Sequence, residues 1–138
     1  MQSLKLDLKE ADVKRAVTDY LEVMQAQGRL VYFRLNAGDF IDTRVKEGHI
    51  ASRRRIKGAG KGTADLMVIQ PGEVHLEYLG KKQGPAVPMA FVTFIECKSS
   101  KGKTTKEQDE FAEKAHKMNC QYHVVRSADE LIEVLKRE

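Results

Sequence analysis

The chain has 138 residues, 41% of them hydrophobic and 32% charged, with a net charge of +4. That length fits one compact domain over residues 1–138, able to bury a core without disulfides or a structural metal, and the composition is that of an ordinary soluble globular chain. No apolar run approaches a membrane span. The segment Met1–Glu10 mixes Leu4, Leu6 and Leu8 with Lys5, Asp7 and Lys9 and lacks the apolar block of a signal peptide, which predicts a cytoplasmic protein with no membrane partner.

Periodicity predicts a first helix from about Glu10 to Gln27, where Val13, Ala16, Val17, Tyr20, Leu21 and Met24 recur at three-four spacing and Gly28 ends the run. Leu30–Asn36 reads as a strand, followed by a turn at Ala37-Gly38-Asp39. Phe40 to Ile56 is weakly patterned and basic, either a hairpin or a long loop. Ala64–Gln70 is a nearly continuous apolar run and reads as a central strand. Pro71-Gly72 is expected to break it, with Glu73–Leu79 as a separate strand, Gly80–Pro88 as a loop and Met89–Lys98 as the next strand. A capping-box pattern occurs in two registers, Thr104 with Glu107 and Thr105 with Gln108, before a second helix to about Met118 with Phe111, Ala112 and Ala115 inward. Gln121–Val125 reads as a strand, and Ser127 is the expected N-cap of a closing helix over Ala128–Arg137. The order predicts a single mixed α/β domain.

Charge is unevenly spread. Between Asp42 and Lys61 lie seven basic residues (Arg44, Lys46, Arg53, Arg54, Arg55, Lys57 and Lys61) and two acids (Asp42 and Glu47). Such a cluster attracts a phosphate backbone through counterion release, or else forms a solvated face. Cys97 and Cys120 are the only cysteines, with no paired spacing and no histidine at finger spacing, so a zinc site is not expected. Both read as small apolar residues rather than nucleophiles. His49, His75, His116 and His123 are scattered and read as surface or satisfied histidines.

The chemistry-bearing residues are few. Side chains alternate along a strand, so Glu96 and Lys98 share one face while Cys97 points to the other. Charged groups on a strand as apolar as Phe91–Ile95 are costly to bury without a partner. Asp65 opens the other apolar strand after Gly60-Lys61-Gly62-Thr63-Ala64, where glycines permit close backbone approach. This glycine run precedes a strand and lacks the G-x-x-x-x-G-K-[ST] order, which excludes an NTPase loop. A metal ion between Asp65 and Glu96 would satisfy both carboxylates, and hard oxygen ligands suit Mg²⁺ or Mn²⁺. Glu10 falls on the inward stripe of the first helix, whereas Asp12, Asp19 and Glu22 do not. It is either turned toward a metal or its bound water, or is an acid favoured at a helix start. Gln108 faces inward with Phe111 and Ala112, as an orienting amide or as a simple cap.

Asp65 followed by Glu96-Cys97-Lys98 resembles the PD-(D/E)xK nuclease core. The wider pattern resembles the VRR-NUC family over nearly the whole chain: an acid opening the first helix, Arg34–Gly38, Lys61–Leu66, Glu96-Cys97-Lys98 followed by Lys101-Gly102-Lys103, then Gln108 and Val124–Ser127. The departure is Ala64, where the superfamily name has proline, at a position that shapes the turn and binds no metal. The resemblance implies a restriction-endonuclease-like core, a central mixed sheet flanked by helices. It also implies hydrolysis of phosphodiester bonds with Mg²⁺, for which Mn²⁺ substitutes. By that resemblance Asp65, Glu96, the Cys97 backbone carbonyl and Glu10 (directly or through water) bind metal, Lys98 positions the attacking water, and Gln108 orients Lys98 or the phosphate. Arg53, Arg54, Arg55, Lys57, Lys61, Lys101 and Lys103 are expected to hold DNA. Small stand-alone relatives, often from phages, resemble homodimeric endonucleases acting on branched DNA such as four-way junctions. A flap or nicking nuclease of the same fold and a non-catalytic DNA-binding module are the rival expectations.

Overall fold

A computed structural model describes residues 8–35, 39–57 and 60–136, with the backbone alone for 39–44 and 51–57. The elements are α1 (Glu10–Ala26), β1 (Val31–Arg34), β2 (Asp39–Lys46), β3 (His49–Lys57), β4 (Leu66–Tyr78), β5 (Lys81–Cys97), α2 (Lys106–Lys117), β6 (Gln121–Val125) and α3 (Ala128–Leu135). The four-stranded sheet has the order β1-β4-β5-β6, and β2 and β3 form a separate two-stranded sheet. In the main sheet β1, β4 and β5 are antiparallel while β6 runs parallel to β5, so the sheet is mixed. A parallel neighbour needs a crossover, and α2 supplies it.

The core lies on one face of this sheet. Val13, Val17 and Leu21 of α1 pack with Leu30, Leu66, Val68, Ile95, Cys97 and Val125, and Leu131 and Leu135 of α3 complete the cluster. Phe94 alternates to the opposite face, where its ring meets Phe111 of α2 edge-on at 5.0 Å. Helices therefore flank the sheet on both sides. The inward face of α1 is shifted from what the sequence suggests: Thr18 is buried and Ala16 is exposed. The Thr18 hydroxyl is satisfied by donating to the Lys14 and Arg15 carbonyls. Among the described residues no helix is long and apolar enough to cross a membrane.

Two expectations fail in the middle of the chain. Pro71-Gly72 does not break β4, and Gly80–Pro88 is not a loop. Instead β4 and β5 stay paired from Leu66↔Ile95 out to Tyr78↔Lys81, joined only at Leu79-Gly80. Position explains this. The β1 partner ends at Val31↔Ile69 and the β6 partner begins at Thr93↔Gln121, so the outer hairpin is two-stranded with open edges. Edge strands tolerate proline because no ladder is lost on the open side. Leu79 (φ 53°) and Gly80 (φ 74°) make the left-handed two-residue turn that matches strand twist. The uncertain Phe40–Ile56 stretch resolves as the β2–β3 hairpin.

Candidate active site

The register of the central pair builds the site. Leu66 lies opposite Ile95, and both face the core. One further rung brings Asp65 opposite Glu96 at the strand ends. The Cys97 backbone N–H donates to Asp65 Oδ2 at 2.8 Å, pinning the carboxylate to the end of β5. On the β1 side the Leu35 N–H donates to the Asp65 carbonyl at 2.8 Å, so Asp65 is held by its backbone on the β1 side and by its carboxylate on the β5 side.

The preceding turn depends on Gly62, which has φ +85° and lies so close to α2 that a Cβ would sit 2.4 Å from the Glu107 carbonyl oxygen. No side chain fits there, and the contact docks the Asp65 turn against the first turn of α2. The Thr63 hydroxyl closes the same turn by donating to the Gly60 carbonyl at 2.9 Å.

Glu96 is 3% exposed and Lys98 9% exposed. Lys98 Nζ stands 3.5 Å from Glu96 Oε1 and 3.8 Å from Glu10 Oε1. Glu10 thus joins the cluster through Lys98, but its side chain is half exposed rather than on the buried stripe. Gln108 is the realised cap, and its amide meets Glu96 rather than Lys98. Its Oε1 accepts from the Thr105 N–H and its backbone N–H donates to Thr105 Oγ1, so the second capping-box register is the one realised. The amide Nε2 is thereby turned toward Glu96 Oε1, to which it donates at 2.8 Å. The cap fixes the orientation of the site amide.

Electrostatically the cluster is under load. Burial, then the neighbouring Asp65, pushes the Glu96 carboxyl up to about 7, although Lys98 pulls the other way. Its Oε2 is buried without a hydrogen-bond partner in the protein. Burial first, then Asp65, pushes the Cys97 thiol up to about 12, which keeps it neutral and agrees with its reading as a small apolar residue. The Tyr122 hydroxyl is also buried without a partner, and burial followed by the Glu96, Asp109 and Asp65 charges drives its pKa upward.

Two site residues receive no role from the sequence, although Arg126 lies within the Val124–Ser127 pattern. Lys14, one helical turn after Glu10, places Nζ 3.1 Å from Asp65 Oδ1. Its burial disfavours the ammonium, but Asp65 and Glu10 outweigh that and raise its pKa. The i, i+4 spacing to Glu10 was the available signal. Arg126 follows β6 and donates from Nη1 to the Ser99 carbonyl at 2.6 Å and the Gly102 carbonyl at 2.7 Å. It holds the turn that carries Lys101 and Lys103, both exposed. Lys61 is exposed too and pairs with Glu107 at 3.4 Å. Arg53, Arg54, Arg55 and Lys57 lie in β3, opposite Thr43, Asp42, Ile41 and Asp39 of β2; their side chains lie outside the described residues.

Among the described residues no group of three His, Cys, Asp or Glu is arranged to hold a metal ion. The donor set nonetheless suits a hard divalent cation. Asp65 and Glu96 are adjacent across the strands, and one buried Glu96 oxygen has no partner. Mg²⁺ commonly takes one or two carboxylates and keeps water for the rest of its shell. Comparisons with family models, with curated proteins and with solved structures find no match.

Proposed function

We propose that this chain is a Mg²⁺-dependent endonuclease of the VRR-NUC type with a restriction-endonuclease-like core, hydrolysing phosphodiester bonds in DNA and favouring branched substrates such as four-way junctions. The observation that carries the reading is the convergence of Asp65, Glu96 and Lys98 at one sheet end, with a buried Glu96 oxygen lacking a partner. A structural ion pair gains nothing from a buried carboxylate oxygen without a partner, because that oxygen has lost its water for nothing, whereas a bound cation would occupy it.

In this reading Asp65, Glu96 and the Cys97 carbonyl hold the cation, and Glu10 acts through water. The bound cation supplies an acidified water and a Lewis acid for the phosphate. Lys98, fixed between Glu96 and Glu10, orients the attacking water and shares the negative charge that develops on the phosphate. Gln108 holds Glu96 in place. Lys61, Lys101 and Lys103, with Arg53, Arg54, Arg55 and Lys57, hold the flanking backbone with an affinity that falls with salt. The β2–β3 segment is well connected for this, since the chain leaves the sheet at Arg34 and returns beside it at Leu66, next to Asp65. Paired nicks across a junction call for a homodimer with two active sites, acting on cytoplasmic DNA.

The test is cleavage of labelled four-way junction, flap and linear duplex DNA in Mg²⁺ and in Mn²⁺ by the wild type and Lys98→Ala. Symmetric junction cuts that vanish in the variant are expected. Cutting confined to flaps or nicks redirects the substrate class. Binding that survives chelation, with no cutting in either metal, overturns catalysis in favour of a DNA-binding module.

A further inference from the structure

Lys14 lies outside the acid-acid-lysine pattern, yet it makes the shortest ammonium contact in the cluster: 3.1 Å to Asp65 Oδ1, against 3.5 Å and 3.8 Å for Lys98 with its two acids. The other Asp65 oxygen is taken by the Cys97 N–H at 2.8 Å. A backbone donor within a strand end cannot leave, whereas a lysine side chain can. The Lys14 side chain is 44% exposed and borders a cleft of about 150 Å³ lined also by Thr18, Arg34, Leu35, Asp65 and Leu66. It therefore has somewhere to go.

We propose that Lys14 competes with the divalent cation for Asp65: its ammonium holds Oδ1 when no cation is bound, and yields that oxygen by swinging into the adjoining cleft when one binds. This rests on the metal-dependent reading above. The physical basis is simple. An ammonium and a divalent ion cannot share one carboxylate oxygen without close like-charge repulsion, so each lowers the affinity of the other. Lys14 is thus a positioning residue that keeps Asp65 ordered and sets the cation concentration at which the site fills.

The test is a Mn²⁺ titration of the full chain without DNA, reading free Mn²⁺ by electron paramagnetic resonance, for the wild type, Lys14→Gln, Lys14→Arg and Asp65→Asn. Lys14→Gln removes the charge at a half-exposed position and keeps a polar side chain, so folding is not at stake. It is expected to bind Mn²⁺ roughly three- to tenfold more tightly than wild type, the scale of a partly exposed ion pair plus the repulsion relieved. Lys14→Arg is expected to stay within about twofold of wild type, and Asp65→Asn to lose the site. Unchanged or weaker binding by Lys14→Gln, or equal tightening by Lys14→Arg, overturns the competition while leaving the metal site standing. No Mn²⁺ binding by any form overturns the metal-dependent reading itself, and the competition with it.

Discussion

Replacing Glu96 with Gln tests the electrostatics of the site without any assumption about its substrate. In the wild type the Glu96 carboxyl titrates at about 7 when folded, against an ordinary 4.5, because burial and then Asp65 oppose its charge. The sign follows from proton binding. Between the two values the folded state holds a proton that the unfolded state has released, so wild-type stability declines as pH rises through this window. The shift corresponds to about 3 kcal/mol once both states are ionised, and to about 2 to 3 kcal/mol between pH 5 and pH 8. Gln cannot ionise, so the variant escapes this decline. Whatever the amide costs in packing is largely common to both pH values and cancels in the comparison, and the Lys98 attraction is already contained in the shifted value. Thermal unfolding in chelator is therefore expected to show the variant gaining on the wild type by roughly 10 °C between pH 5 and pH 8. Adding Mg²⁺ at pH 8 should raise the wild-type midpoint and leave the variant unmoved. Parallel wild-type and variant profiles across that pH range would refute the claim that burial and Asp65 oppose the Glu96 charge.

Two further substitutions probe how the site is held. Gly62→Ala forces a Cβ to within 2.4 Å of the Glu107 carbonyl at φ +85°, so a loss of about 2 kcal/mol or more is expected by denaturant unfolding, together with displacement of the first turn of α2 and of Gln108. Arg126→Ala removes the guanidinium bound to the Ser99 and Gly102 carbonyls. Hydrogen exchange over residues 99–105 should accelerate by about one to two orders of magnitude, the scale of a charge-assisted bond, while the core strands keep their protection.

What was legible in the sequence follows how local the governing physics is. The α1 stripe, the apolar strand opened by Asp65, the Thr105–Gln108 capping box and the Ser127 cap each declare themselves within a few residues, and all four recur in the structure. The β4–β5 arm did not, because Pro71, Gly72, Pro85 and Pro88 read as loop residues unless the strand edge is known to be open, and that is a property of the assembled sheet. The roles of Lys14 and Arg126 were not legible for a related reason: each looks like a solvated charge until the chain brings Asp65 or the Ser99 and Gly102 carbonyls to it. The meeting of Asp65 with Glu96 was expected from the motif alone, and the apolar pattern supplies its physical reason. Leu66, Val68 and Ile95 must all face the core, so a slip of one residue between β4 and β5 would turn one strand's set to the wrong side. The register that buries them leaves Asp65 and Glu96 directly opposite at the strand ends. A slip of two residues would keep the core face but carry the carboxylates apart and break the Cys97 N–H to Asp65 bond. Core packing restricts the register, and that hydrogen bond with the Gly62–Glu107 contact selects the one in which the two acids meet.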